Sequence, residues 1–319
     1  MFDKRLTITA RLLVGVVLLG LLFWWSDWQQ LIAQLRKVQP LFLLPFIILF
    51  PLSLLIASRR WSLLLTPIGV DVPRLETFKL YWIGLFLSNF LPSNIGGDLS
   101  RIGLLYRFRK TTEIAGSVLT ERFIGLLALL TLASVTVCLR PDLLPGNSSV
   151  YWGTLAISLL AGGALILGTK RLLSLRSLSK APASGLTGQL VRLLQAITTY
   201  RQQSVILPVL SLSFLYYLAG FLAHYSIALA LDLDLRLQDV VMITPLILLI
   251  SMIPLSVNAL GLAEGAFIAF YTKVGLSPSE ALAFALLLRG MQMGCSAFGG
   301  LLLISRRNRG TDHRSGGAS

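Results

Sequence analysis

Charge is scarce in this 319-residue chain. Only 13% of its residues are Asp, Glu, Lys or Arg, about half the share a soluble domain carries. It has two histidines, His224 and His313, and two cysteines, Cys138 and Cys295. Both cysteines lie in apolar stretches, and no Cys-x-x-Cys or Cys/His cluster exists. Neither a zinc site nor a disulfide framework is indicated, and no metal or other cofactor is expected. No P-loop is present, which argues against nucleotide drive within the chain. The roughly ten-residue alternation of a transmembrane barrel is also missing. What fills the chain is hydrocarbon: 55% hydrophobic residues and a mean hydropathy of +0.77. The fold class that follows is an all-α, polytopic integral membrane protein.

The formal net charge is +14. In a soluble protein that would point to nucleic acid. Here the Lys and Arg residues lie in loops and at both chain ends, where they set topology and meet anionic headgroups, so no nucleic-acid partner is expected. The N-terminal run ends in WWSDW rather than a small-x-small cleavage site, so it reads as an uncleaved first span with an aromatic belt at Trp24, Trp25 and Trp28.

Apolar length predicts about six transmembrane helices, near residues 6–25, 41–57, 113–139, 150–169, 204–231 and 279–304. Between them lie two broken pairs of short arms, 81–91 with 99–108 and 240–253 with 261–273. Each arm is too short to span a bilayer, which takes roughly 20 helical residues. Lys4, Arg5 and Arg11, then Arg59, Arg60, Arg74 and Lys79, the basic residues of 170–201, and Arg306 to Arg314 mark the cytoplasmic side. Loops 140–149 and 231–239 then face outward. These assignments agree only if both broken pairs are re-entrant hairpins, the first from the cytoplasmic side and the second from the outer side. Residues 27–40, DWQQLIAQLRKVQP, carry Leu31, Ile32, Leu35 and Val38 at helical spacing and read as an interfacial helix on the outer surface. Residues 1–305 form a single transmembrane domain, residues 171–190 within it a Ser- and Gly-rich cytoplasmic linker, and residues 306–319 a disordered cytoplasmic tail.

The two halves, about 1–139 and 150–305, resemble each other. LFLSNFLPSNIGGDLSRIGLL is followed by SVLTERFIGLLALL, and LLISMIPLSVNALGLAEGAFI by ALLLRGMQMGCSAFGGLLL. Pro92 aligns with Pro254, Asp98 with Glu264 and Arg122 with Arg289. Three crossings plus a hairpin per half make this an inverted-topology repeat, a recurrent design for alternating access to one central site. The hairpin tips are Pro92, Asn94, Gly96 and Gly97 in the first half, and Pro254, Asn258 and Gly261 in the second.

Charges inside the membrane are the candidate site. Helical rise places Glu121 and Arg122 roughly 12–14 Å into their span and Arg289 roughly 15 Å into its own. A charge there costs about 2.5–3.5 kcal/mol and persists by pairing, by lining a polar cavity, or both. Asp98 and Arg101, three apart, share a helix face. Asp98 also fits a helix cap, Glu264 suits a helix N-terminus, and internal ion pairing alone would account for Glu121, Arg122 and Arg289. His224, with no acid within a helical turn, reads as a packing residue. Helix N-termini beside arginines favour a phosphate, and an apolar surround suits a phospholipid-type headgroup with its tails left in the bilayer.

The elements LPSNIGGDLSR, LTERFIGLLALL, NALGLAEGAF and LLLRG resemble the flippase-like family built on the transmembrane region of lysylphosphatidylglycerol synthase. The likeness covers nearly the whole chain. It departs at Ala263, where the family often has a basic residue, and at Ala259, usually a glycine. The resemblance implies a lipid flippase or scramblase rather than an enzyme. It also implies a translocation site at Asp98, Arg101, Glu121, Arg122, Glu264 and Arg289, with membrane lipids as partners and a multi-pass location in a bacterial-type plasma membrane, both termini cytoplasmic. A lipid-modifying synthase or glycosyltransferase is a further expected partner. The alternatives are an intramembrane lipid-modifying enzyme, using Ser88, Asn89 and Glu121, or a non-transporting partner of a membrane glycosyltransferase.

Overall fold

A computed structural model describes residues 4–25, 27–90, 96–143, 153 and 204–315. The predicted fourth span apart from Gly153, the linker at 171–190 and the tip residues Pro92 and Asn94 lie outside them. Among the described residues the chain is helical and has no strand. Helix α1 is Lys4–Trp25 and α2 is Trp28–Arg36. Then come α3, Leu44–Leu65; α4, Arg74–Phe90; α5, Gly96–Leu104; and α6, Thr111–Leu139. The second half supplies α7, Ile206–Ala230; α8, Leu237–Ser251; α9, Leu262–Tyr271; and α10, Pro278–Ser315.

Among the described residues four stretches are long and apolar enough to cross a membrane: Pro40–Ile68, Thr111–Leu139, Ile206–Ala230 and Pro278–Arg306. They are apolar around most of their circumference, as a span must be when lipid faces one side and protein the other. Helix α10 continues past Arg306 to Ser315, through residues that composition alone marks as tail. Helix α4 begins seven residues before the expected arm, because RLETFKL is a good helix former without being apolar. Helix α2 is capped by the Asp27 carboxylate, which accepts from the N–H groups of Gln29 and Gln30. Its Leu31 is buried and its Gln34 amide donates to the Leu231 carbonyl at 2.6 Å, so one face docks on protein while Trp28 and Ile32 stay exposed.

Packing repeats between the halves. Helix α4 lies on α10, and α8 lies on α6, so the first arm of each hairpin rests on the last long helix of the other half. The Trp82 indole donates to the Cys295 carbonyl at 3.0 Å in one contact, and the Thr136 hydroxyl to the Met242 carbonyl at 2.9 Å in the other. At the helix ends Arg306 meets Glu76 at 3.0 Å and Arg140 meets Asp239 at 3.3 Å. Both acids are the third residue of their arm; Arg140 caps α6 and Arg306 ends the apolar stretch of α10. Helices α3 and α7 pack against each other along the centre. One core gathers side chains from α6 to α10; a smaller one, around Trp61, Leu80, Leu105 and Ile114, joins α3 to α6.

The two helix breaks are held by close backbone approach. A Cβ on Gly97 would lie 2.0 Å from the Ser88 hydroxyl and 2.4 Å from the Gly84 carbonyl, so α4 and α5 meet where only hydrogen fits. Gly261 has φ +78°, and a Cβ there would lie 2.4 Å from Leu18 Cβ on α1. Just before it Asn258 and Ala259 also take left-handed φ, 51° and 53°.

Candidate functional site

Helix α5 starts at Gly96, with Asp98 in its first turn rather than at the cap. The Arg101 guanidinium donates to Asp98 at 2.5 Å and to Glu121 of α6 at 3.1 Å. Arg122 Nε donates to the other oxygen of Asp98. In the second half Arg289 Nε donates to Glu264 at 2.5 Å, and its Nη1 reaches the Asn258 carbonyl at 3.3 Å. Glu264 also accepts from the Gly261 N–H at 2.7 Å, closing the start of α9. The aligned acid and arginine of each half are thus bonded through the same guanidinium nitrogen, 24 and 25 residues apart. All six predicted charges pair, in two groups of four and two.

Sequence reasoning placed Arg60 in a cytoplasmic loop beside Arg59. The structure corrects that: α3 runs on to Leu65, and Arg60 is buried inside it. Its guanidinium donates to Glu121 at 2.9 and 3.2 Å and to the Ser213 hydroxyl of α7 at 3.2 Å. Tyr81 donates to the same Glu121 oxygen at 2.9 Å. Arg101 lies over the rings of Trp61 and Tyr81, 4.8 and 4.3 Å from their centroids. Glu121 is 1% exposed and ringed by donors from α3, α4 and α5, which makes it a pin between first-half helices.

Arg122 behaves differently. Its side chain is 44% exposed, and Arg289 is 22% exposed. Both line a cavity of about 430 Å³ with Ser88, Asn89, Glu264 and Gln292. A second cavity of about 370 Å³, holding Arg60, Asp98, Arg101 and Glu121, adjoins it through Leu85, Ser88, Arg122 and Tyr216. His224, expected as packing, lines the first cavity, and its buried Nδ1 has no hydrogen-bond partner among the described residues. Among the described residues four arginines face three carboxylates here, leaving one surplus positive charge. In an apolar surround that surplus calls for an anion. Bidentate, forked donors of this kind suit a phosphodiester or carboxylate.

At the far end of α6, outside the span, Arg140 also binds Asp142 at 3.0 Å. That hydrogen bond holds the Asp142 carboxyl below its ordinary value.

Fold and site together define a multi-pass helical membrane protein with a charged internal cavity. The family model for the lysylphosphatidylglycerol synthase transmembrane region matches residues 9–299, and the chain belongs to that family. It is 24% identical over 302 residues to a UPF0104 membrane protein of Methanothermobacter thermautotrophicus, covering 85% of this chain and 87% of that relative. A UPF0104 membrane protein of Pyrococcus horikoshii is 22% identical over 120 residues, 36% of each chain. No solved structure matches.

Proposed function

We propose that the protein moves lipid headgroups across a bacterial-type plasma membrane by alternating access, as a flippase or scramblase. The observation that carries this is the pair of adjoining polar cavities, with a surplus positive charge, inside an apolar helical bundle. The headgroup is a phospholipid or polyprenyl-linked phosphate that sits between Arg122 and Arg289 while its tails stay in the bilayer. The hairpins α4–α5 and α8–α9 are re-entrant from opposite faces, both termini are cytoplasmic, and six spans complete the bundle. Mirrored packing of each hairpin on the other half supports exchange between two related states, as inverted repeats in transporters do. The lipid leaves unmodified. Its supplier is a lipid-modifying synthase or glycosyltransferase of the same membrane.

The test is reconstitution. Proteoliposomes carrying head-labelled lipids of several classes are treated with an impermeant quencher, and the protected fraction is followed with time. The expected result is faster loss of protection with the protein than in empty liposomes, abolished by Arg122→Ala. Protection identical to empty liposomes for every lipid class, with folded protein, overturns the proposal. Mass spectrometry of the recovered lipid checks that its covalent structure is unchanged.

A further inference from the structure

A separate concavity lies on the flank of the molecule. It is a groove of about 570 Å³ between α3 and α4, lined by Pro51, Leu52, Leu55 and Leu75 and by two arginines, Arg59 and Arg74. It shares no lining residue with the two central cavities. Leu52, Leu55 and Leu75 are 42%, 43% and 64% exposed, so the groove wall is uncovered hydrocarbon. From Pro51 to Arg59 it follows eight residues of α3, about 12 Å at helical rise. That accommodates part of an acyl chain.

The cationic end of the groove lacks counter-charge. Neither Arg59 nor Arg74 has an ion-pair partner among the described residues. The acid nearest in sequence, Glu76, is held by Arg306 at 3.0 Å. Arg74 is also the first residue of α4, and a helix start carries partial positive charge and N–H groups without intrahelical partners. A cation is disfavoured there and an anion is favoured. Arg60, next to Arg59, is turned inward to Glu121, so α3 carries one arginine to the centre and one to the flank.

We propose that this groove is a binding site for one anionic glycerophospholipid, its phosphate between Arg59 and Arg74 and an acyl chain along Pro51 to Leu55. The site rests on the chain being a membrane protein and does not depend on lipid translocation. Apolar wall and paired guanidinium groups together select an amphiphile with a net negative headgroup over a zwitterionic one.

The experiment is native mass spectrometry of the whole chain, delipidated in mild detergent and titrated with phosphatidylglycerol or phosphatidylcholine. Wild type is expected to hold phosphatidylglycerol in preference to phosphatidylcholine. In the Arg59→Ala/Arg74→Ala double variant one bound phosphatidylglycerol is expected to weaken about 30-fold, from about 1 kcal/mol per cation near the surface and tenfold per 1.4 kcal/mol. Leu55→Trp, which fills the groove from an exposed position, should lose the same lipid without touching a charge. Arg122→Ala should keep it. Equal retention of phosphatidylglycerol by wild type and both groove variants overturns the proposal, as does equal affinity of wild type for the two lipids. Loss of headgroup translocation with the groove lipid retained would bear on the central cavity alone.

Discussion

Glu121 and Arg122 are neighbours in sequence, yet the structure gives them opposite duties, and a pair of substitutions separates these. Glu121→Gln keeps the shape of the side chain and removes its charge. Arg101 would still have Asp98 at 2.5 Å and the two rings it lies over. Arg60 would be left with the Ser213 hydroxyl, the neutral amide oxygen and the Tyr216 ring, while 6% exposed. Breaking a buried pair by removing one partner costs about 3–5 kcal/mol, because the other charge is stranded. Removing both, as Arg60→Met/Glu121→Leu, should cost much less than the sum of the single changes. Arg122→Gln, by contrast, takes away a guanidinium already 44% exposed to the cavity. Its folding cost should stay below about 1 kcal/mol, near that of an exposed pair. Its effect should fall on bound anionic lipid instead.

The assay is reversible unfolding of the purified protein in mixed micelles, read beside native mass spectrometry of retained lipid. The expected pattern is a large stability loss for Glu121→Gln, a coupling of several kcal/mol between positions 60 and 121, and near-wild-type stability with lost lipid for Arg122→Gln. A Glu121→Gln cost below about 1 kcal/mol would refute the assignment of that carboxylate as a pin. Equal destabilisation by both variants would refute the division of labour.

Three further outcomes follow from the geometry. Gly97→Ala should destabilise by about 1–3 kcal/mol, and adding Ser88→Gly should recover only part, because the second clash is with the Gly84 backbone carbonyl; full recovery would mean the hydroxyl alone sets the approach. Ala259→Gly should stabilise by about 1 kcal/mol, since Ala259 holds φ 53° in the left-handed region, and a fall in unfolding midpoint would count against that backbone. The Asp142 carboxyl lies below its ordinary value because it accepts from Arg140, so its contribution is present above the ordinary carboxylate range and lost as pH falls through the lowered native value. Asp142→Asn should therefore flatten the acid limb of a stability–pH profile, and an unchanged limb would show that the hydrogen bond from Arg140 does not survive in solution.

The repeated pairing was legible because it depends on spacing. An acid opening the second arm and an arginine 24 or 25 residues on meet whenever the hairpin packs beside the next long helix, and both do. Arg60 was hidden for a different reason. Asp98 and Glu121 already balance Arg101 and Arg122, so no missing cation pointed to a further partner. Two adjacent arginines at the end of an apolar run also satisfy the positive-inside rule without any inward role. The signal that distinguishes them is phase. Ser53, Ala57, Arg60 and Leu64 recur at helical spacing and are all buried, and Trp61 and Leu65 extend the same face. Arg59 falls about 100° off it, toward the lateral groove. Consecutive residues on one helix point about 100° apart, and the same reasoning separates Glu121, facing α3 and α5, from Arg122, whose side chain also reaches the first cavity. Hydropathy finds where such a helix crosses; helical phase decides which of its charges hold the bundle and which are left to meet a ligand.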